Sequence, residues 1–208
     1  MAKSAVETAA PSTLVIACGA LARELLDVIA AHRLDGLSVT CLPAILHNRP
    51  EQIPAAVRAK IRAGRRRHDT ILCLYGDCGT GGLLDAMLAE EGVERIPGAH
   101  CYEFFAGATD FAALAEAEPG TFFLTDYLAR HFDRLVWRGL GLDRFPQLRD
   151  DYFGHYRRLV YLAQTDDPAL DTRAEAAAAR LTLAYERRFT GLAGLSTFLV
   201  TAATVGAA

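Results

Sequence analysis

The stretch Thr70-Ile71-Leu72-Cys73-Leu74-Tyr75-Gly76-Asp77-Cys78-Gly79-Thr80-Gly81-Gly82 decides the fold class. Its first six residues are apolar without alternation, the pattern of a parallel strand buried on both faces. A glycine-rich loop follows at once, and Leu83–Glu90 then carries a helical pattern. Upstream, Thr13–Ala17 is a second buried strand that ends at Cys18-Gly19. Leu21–His32 places apolar residues on one helical face, and Leu37–Leu42 is the next strand, closed by Pro43. Ile53–Ala63 is a helix with Pro54 suited to its first turn. Downstream come a short strand at Val93–Ile96, a strand at Thr121–Leu124, and a helix Tyr127–Trp137 capped by Thr125-Asp126.

Strand and helix in this alternation predict right-handed βαβ units. The fold class is therefore α/β, with a mostly parallel sheet flanked by helices in a Rossmann-like three-layer arrangement. The second half is less regular. It reads as a helix over Asp150–Leu159, a strand over Val160–Gln164, an Ala-rich helix over Arg173–Leu183, a strand over Leu183–Arg188 and a short last helix. Residues 1–12 read as a disordered tail, 13–200 as one domain and 201–208 as a frayed end.

The chain has 208 residues, 51% of them hydrophobic, and a net charge of -3. That length buries a sizeable core without disulfides, and the charge argues against general nucleic-acid or membrane-surface binding. No segment has the length of a membrane span or of a signal peptide, so a cytoplasmic location is expected. The five cysteines are then free thiols, ligands or nucleophiles.

Ligands of open parallel sheets bind beyond the carboxyl ends of the strands. Five strand ends are expected to deliver polar or thiol residues to one rim. Cys18, Cys78 and Cys101 fall there, and His47 or His100 would complete a four-ligand set for zinc, iron or an iron–sulfur cluster. Both Cys18 and Cys78 precede helices, whose N-termini favour thiolates. Cys41 and Cys73 lie inside strands and read as core packing. Gly76, Gly79 and Gly81 allow close approach of a bulky ligand or metal centre. The loop lacks the Lys-Ser/Thr of a P-loop, and Asp77 would repel phosphate. Glu103, set between Tyr102 and Phe104, is the leading general acid/base, with Asp77 a second candidate. Glu24 reads as a solvated helix carboxylate. The run Arg62, Arg65, Arg66 and Arg67 reads as a solvated helix end, and Tyr152, Phe153, Tyr156 and Tyr161 as packing.

Several motifs together carry a family resemblance. They are Ala17-Cys18-Gly19, Leu42-Pro43 with Leu46-His47-Asn48-Arg49-Pro50, Tyr75-Gly76-Asp77-Cys78-Gly79-Thr80-Gly81, Gly98-Ala99-His100-Cys101-Tyr102-Glu103, Gly120-Thr121-Phe122-Phe123-Leu124-Thr125-Asp126 and Gly141-Leu142-Asp143. With these the chain resembles, from Thr13 to Leu199, the bacterial and archaeal proteins grouped as domain of unknown function 1638. The resemblance implies a setting beside corrinoid-dependent methyltransferase systems, with a corrinoid protein or a methyltransferase as partner. The Asp-x-His-x-x-Gly motif of corrinoid carriers is absent, so the chain is not expected to be the carrier itself. The expected function is a metal- or iron–sulfur-binding enzyme or accessory factor in one-carbon metabolism. Two alternatives stand beside it: a metal-free thiol enzyme using a low-pKa cysteine, Cys78 above all, and a non-catalytic partner of a methyltransferase.

Overall fold

The computed structural model describes residues 12–205. The expected tail at 1–12 therefore lies outside the described residues except for Ser12, whose backbone N–H donates to Asp69 Oδ2 at 2.9 Å. Contacts divide the chain into two units, residues up to Pro97 together with those from Thr197, and Gly98–Ser196.

In the first unit β1 (Thr13–Cys18) leads through a 3-10 turn into α1 (Ala22–His32), and β2 (Leu37–Leu42) follows. Two further 3-10 turns precede α2 (Ile53–Gly64), β3 (Thr70–Leu74), α3 (Leu83–Glu91) and the short β4 (Glu94–Arg95). The strands pair in the order β2-β1-β3-β4, all parallel. All six residues of β1 are buried, as a central strand requires. The apolar stripe of α2 buries Ile53, Val57 and Ile61, each worth about 1.5–3 kcal/mol relative to exposure. At its end Gly64 lets the helix pack closely on β1: a Cβ there would stand 2.4 Å from Leu14 Cδ2, so that side chain would have to shift. The arginine run is not simply solvated. Arg62 and Arg65 reach Glu91 at the end of α3, at 2.9 and 3.4 Å, and Arg58 joins them at 3.3 Å.

The second unit holds α4 (Tyr102–Ala106), α5 (Ala108–Ala117), β5 (Thr121–Thr125), α6 (Asp126–Phe132), α7 (Leu148–Phe153), β6 (Arg158–Ala163), α8 (Pro168–Leu181), β7 (Ala184–Phe189) and the start of α9 (Ala193–Val205). Its sheet is also purely parallel, in the order β5-β6-β7. Alternate strand residues face opposite layers. Leu124, Leu159 and Tyr161 pack with Ala129, Phe132 and Ala174 of α6 and α8, while Phe123, Val160 and Leu162 pack with Tyr102 and Phe111 of α4 and α5.

The parallel α/β class holds, with two corrections. The strands form two sheets, with β1 to β4 in one and β5 to β7 in the other, where one sheet was expected. The helix expected over Asp150–Leu159 stops at Phe153, because the Arg157 and Arg158 amides both turn to the Gly120 carbonyl and start β6. Several helices exceed their expected bounds or, like α4, were not expected. α5 is additional, and Gly107, at φ 80, separates it from α4. α8 begins at Pro168, where Asp167 Oδ1 accepts the Ala169 amide at 2.9 Å. α9 runs on to Val205, past the residue where fraying was expected. Among the described residues no helix is long and apolar enough to cross a membrane.

Candidate functional site

The strand order of the first sheet creates a switch point. From β1 the chain steps to β2 on one side, then returns to β3 on the other. In such sheets the crevice lies beyond the carboxyl ends of the two strands where the direction reverses. Register fixes what stands there. Ala17 pairs with Leu74, so Cys18 and Tyr75 are the next residues along β1 and β3. Cys18 also pairs with Leu42, the last residue of β2, after which the 3-10 turn Ala44–Asn48 carries His47.

These residues meet. Cys18 is 2% exposed, and its Sγ accepts the Ala20 amide at 3.3 Å. The same sulfur stands 3.9 Å from His47 Nδ1, which also lies 2.9 Å from the Ala44 carbonyl oxygen. A carbonyl only accepts, so Nδ1 carries the proton and Nε2 is left as the basic nitrogen of the neutral ring. The imidazole stacks on Tyr75, with centroids 6.4 Å apart and planes 16° from parallel. Gly19 makes the approach possible: a Cβ there would stand 2.9 Å from the Leu42 carbonyl oxygen. Gly19→Ala is expected to cost about 1–3 kcal/mol through this overlap and to part the two loops that carry Cys18 and His47. Urea unfolding and the Cys18 thiol reaction rate check this.

Cys78 reaches the same imidazole from the loop after β3. Its backbone is left-handed at φ 49, a strained conformation for a non-glycine residue that costs on the order of 1–3 kcal/mol. Asp77 holds the loop in that shape. Its carboxylate accepts from Thr80 Oγ1 at 2.6 Å, Gly82 N at 2.8 Å and Gly81 N at 3.1 Å. The Thr80 hydroxyl and then the Gly82 amide hold its pKa below the usual carboxylate range. The contacts of Asp77 are thus those of a loop-closing residue. The Gly81 and Gly82 amides are spent on it, which is a reason the loop is poorly suited to cradle a phosphate.

Burial opposes a charge on His47, but hydrogen bonding and Coulombic attraction to Cys18 and Cys78 overcome it and raise its pKa to about 11. The two strand-interior cysteines differ. Cys73 is fully buried and its thiol is pushed up to about 12 by burial, and Cys41 is also raised, first by burial. Cys73 fits the expected packing role, while Cys41 is only half-buried.

The other expected site residues lie in the second unit. Cys101 is half-buried at the start of α4, and His100 is exposed, its ring 5.9 Å from that of Tyr102. Glu103 accepts the Ala99 amide at 2.6 Å and the His100 amide at 3.3 Å, closing the turn before the helix. Within one unit, the residues brought together are Cys18, His47 and Cys78. As placed, no group of three or more His, Cys, Asp or Glu side chains among the described residues is gathered tightly enough to hold a metal ion.

A family model described as "Protein of unknown function (DUF1638)" matches residues 41–199. The chain belongs to this family. Of the residues at the switch point, the match contains His47, Tyr75 and Cys78, while Cys18 lies before its first residue. No curated protein and no solved structure matches the chain. Two features of this DUF1638 protein escape a reading of its sequence. Tyr75 ends an apolar strand run and reads as core, and it is buried, yet its ring also stacks on His47 at the carboxyl end of β3, beside Cys18. Glu24 reads as a solvated carboxylate, yet it is 5% exposed in the first turn of α1. Only the pairing of β1 with β3 reveals the first of these. The second has a weak signal in its position between Leu21 and Leu25, on the apolar face of α1.

Proposed function

We propose that the switch-point crevice of this DUF1638 protein holds a thiophilic metal ion through Cys18, Cys78 and His47 Nε2. The observation that supports this most is the meeting of two buried thiols and one imidazole from the ends of three strands. Two sulfurs and one nitrogen are a donor set for zinc, whereas clusters generally take four protein ligands, mostly thiolates. The bond from His47 Nδ1–H to the Ala44 carbonyl orients the ring and fixes its tautomer, a common support for a metal-bound imidazole. Asp77 fixes the loop that presents Cys78. Loading would draw the three side chains closer than they stand. A bound ion with an open position would supply Lewis-acid polarisation of a small substrate. The setting we propose is the one that the family resemblance implies: an enzyme or accessory factor in one-carbon metabolism, with a corrinoid protein or a methyltransferase as partner. Elemental analysis of protein purified without oxygen tests the reading. About one metal ion per chain supports it, and none at any stage of purification defeats it.

A pH dependence follows from His47. Its folded pKa of about 11 lies above the unfolded value near 6.5. Its contribution to stability is therefore complete below about pH 6.5 and is lost as pH rises through about 11. Ligation through Nε2 needs the neutral ring, so metal uptake expels the proton. Zinc affinity is expected to rise steadily from pH 6 to pH 9. Zinc added at pH 7.5 in weak buffer should release more protons from the wild type than from His47→Ala, as read by an indicator dye.

The contact between Cys18 Sγ and His47 at 3.9 Å also favours a second reading, a thiolate–imidazolium pair acting as a nucleophile. Metal-free protein with one thiol that reacts far faster than the other four at neutral pH would favour it over the first.

A further inference from the structure

Within the second unit, two helices gather positive charge along a shared groove. The groove holds about 240 Å³ and runs between α6 and α8. Its floor includes Ala129 and Ala177, buried where the helices pack. Its walls are Arg130 of α6, Arg173 and Arg180 of α8, and Asp133 just past α6. Three guanidinium groups thus stand against one lining carboxylate.

That carboxylate is already engaged. Asp133 pairs with Arg180, which holds its carboxyl below the usual range. Arg180 is also stacked on Trp137, 4.0 Å from the ring centroid. Both partners of Arg180 belong to the π-helical turn Asp133–Trp137, a rare geometry that recurs at functional sites. Arg130 stands 3.8 Å from Asp126, whose carboxylate accepts from Tyr161, Gln164 and Thr165. Arg173 is exposed and makes no ion pair among the described residues. Burial, then Arg134, Arg130 and Arg173, holds the nearby His131 below its ordinary pKa. Cations gathered in this way repel one another, and an anion between them relieves the repulsion.

We propose that this groove binds a phosphate group, as the free ion or on a small phosphomonoester, through Arg130, Arg173 and Arg180. Guanidinium forks match the oxygens of a phosphate. A phosphomonoester carries nearly two negative charges at neutral pH, which balances the excess of guanidinium over carboxylate in the groove. The volume is below the roughly 300–1,000 Å³ of sites for larger cofactors. The proposal does not depend on the metal reading.

Isothermal titration with inorganic phosphate at low salt tests it, on the wild type, Arg173→Ala and Arg144→Ala. Arg173 lacks an ion pair, so its loss should leave the melting temperature without phosphate unchanged. The wild type is expected to bind about one phosphate per chain. Arg173→Ala is expected to bind it at least about tenfold more weakly, the scale of a lost hydrogen bond to a charged group. Arg144→Ala removes the same charge from beside Phe145 and should bind as the wild type does. Glycerol phosphate separates the two sources: tighter binding than phosphate assigns the site to an ester, and weaker binding to the free ion. No saturable binding by the wild type at millimolar phosphate would overturn the proposal. So would an affinity that Arg173→Ala leaves unchanged, or that Arg144→Ala lowers as much.

Discussion

Replacing Asp126 by alanine is expected to cost about 4 kcal/mol of stability. The carboxylate is fully buried at the end of β5. It accepts from the Tyr161 hydroxyl at 2.7 Å, the Gln164 amide at 3.0 Å, and the Thr165 amide and hydroxyl at 3.1 and 2.5 Å. Its own amide donates to Gln164 Oε1 at 2.7 Å. One side chain thus fastens β5 to the strand and loop beside it. Alanine leaves these donors buried without an acceptor, each at about 1–3 kcal/mol before any water enters. The melting temperature should fall by about 10 °C, at roughly 2–4 °C per kcal/mol for a chain of this size. Asp126→Asn keeps one acceptor and should cost about half as much. Tyr161→Phe, which removes a single donor, should cost about 1 kcal/mol. Urea unfolding orders the three. A loss under 1 kcal/mol for Asp126→Ala would show that the knot is not what holds β5 to β6.

The second large effect is on metal affinity. Cys18→Ser and Cys78→Ser are each expected to weaken zinc binding by at least 100-fold. Loss of a supporting group alone typically costs 10–100-fold, and here a ligand is removed. Serine is close in volume to cysteine, so the fold should survive in both variants. Cys73→Ser is the contrast. Its thiol is fully buried inside β3, and this variant should lose stability while its metal content stays at one per chain. Competition titration against a chromophoric chelator measures all three. Equal zinc affinity in Cys18→Ser and the wild type would remove Cys18 from the site.

Much of the fold is legible in the sequence because its strands are continuous and apolar and its helices amphipathic. Thr13–Cys18 and Thr70–Leu74 show this; the first is buried throughout, while the second is fully buried only at Cys73 and Leu74. The division into two sheets is not legible, because local pattern gives strand direction and period but not partners. Leu124 and Leu74 look alike in sequence and belong to different sheets. Helix α8 begins five residues early for a local reason, the Asp167-Pro168 cap. The candidate site divides the same way. Cys18, Cys78 and His47 can be named because strand ends are marked by Cys-Gly, Pro and glycine-rich breaks. Tyr75 cannot be named, because its role depends on which strand lies beside β3. Asp77 and Glu103 attract attention as carboxylates, and the contacts that explain them are the backbone amides of their own turns.

X-ray absorption at the metal edge, recorded on protein purified without oxygen, reads the ligands of the bound ion. Two sulfurs at about 2.3 Å and an imidazole nitrogen at about 2.0–2.1 Å are expected around the ion, with one sulfur lost in Cys18→Ser and the nitrogen lost in His47→Ala. A shell of nitrogen and oxygen alone, or one left unchanged by both substitutions, would contradict this ligand set.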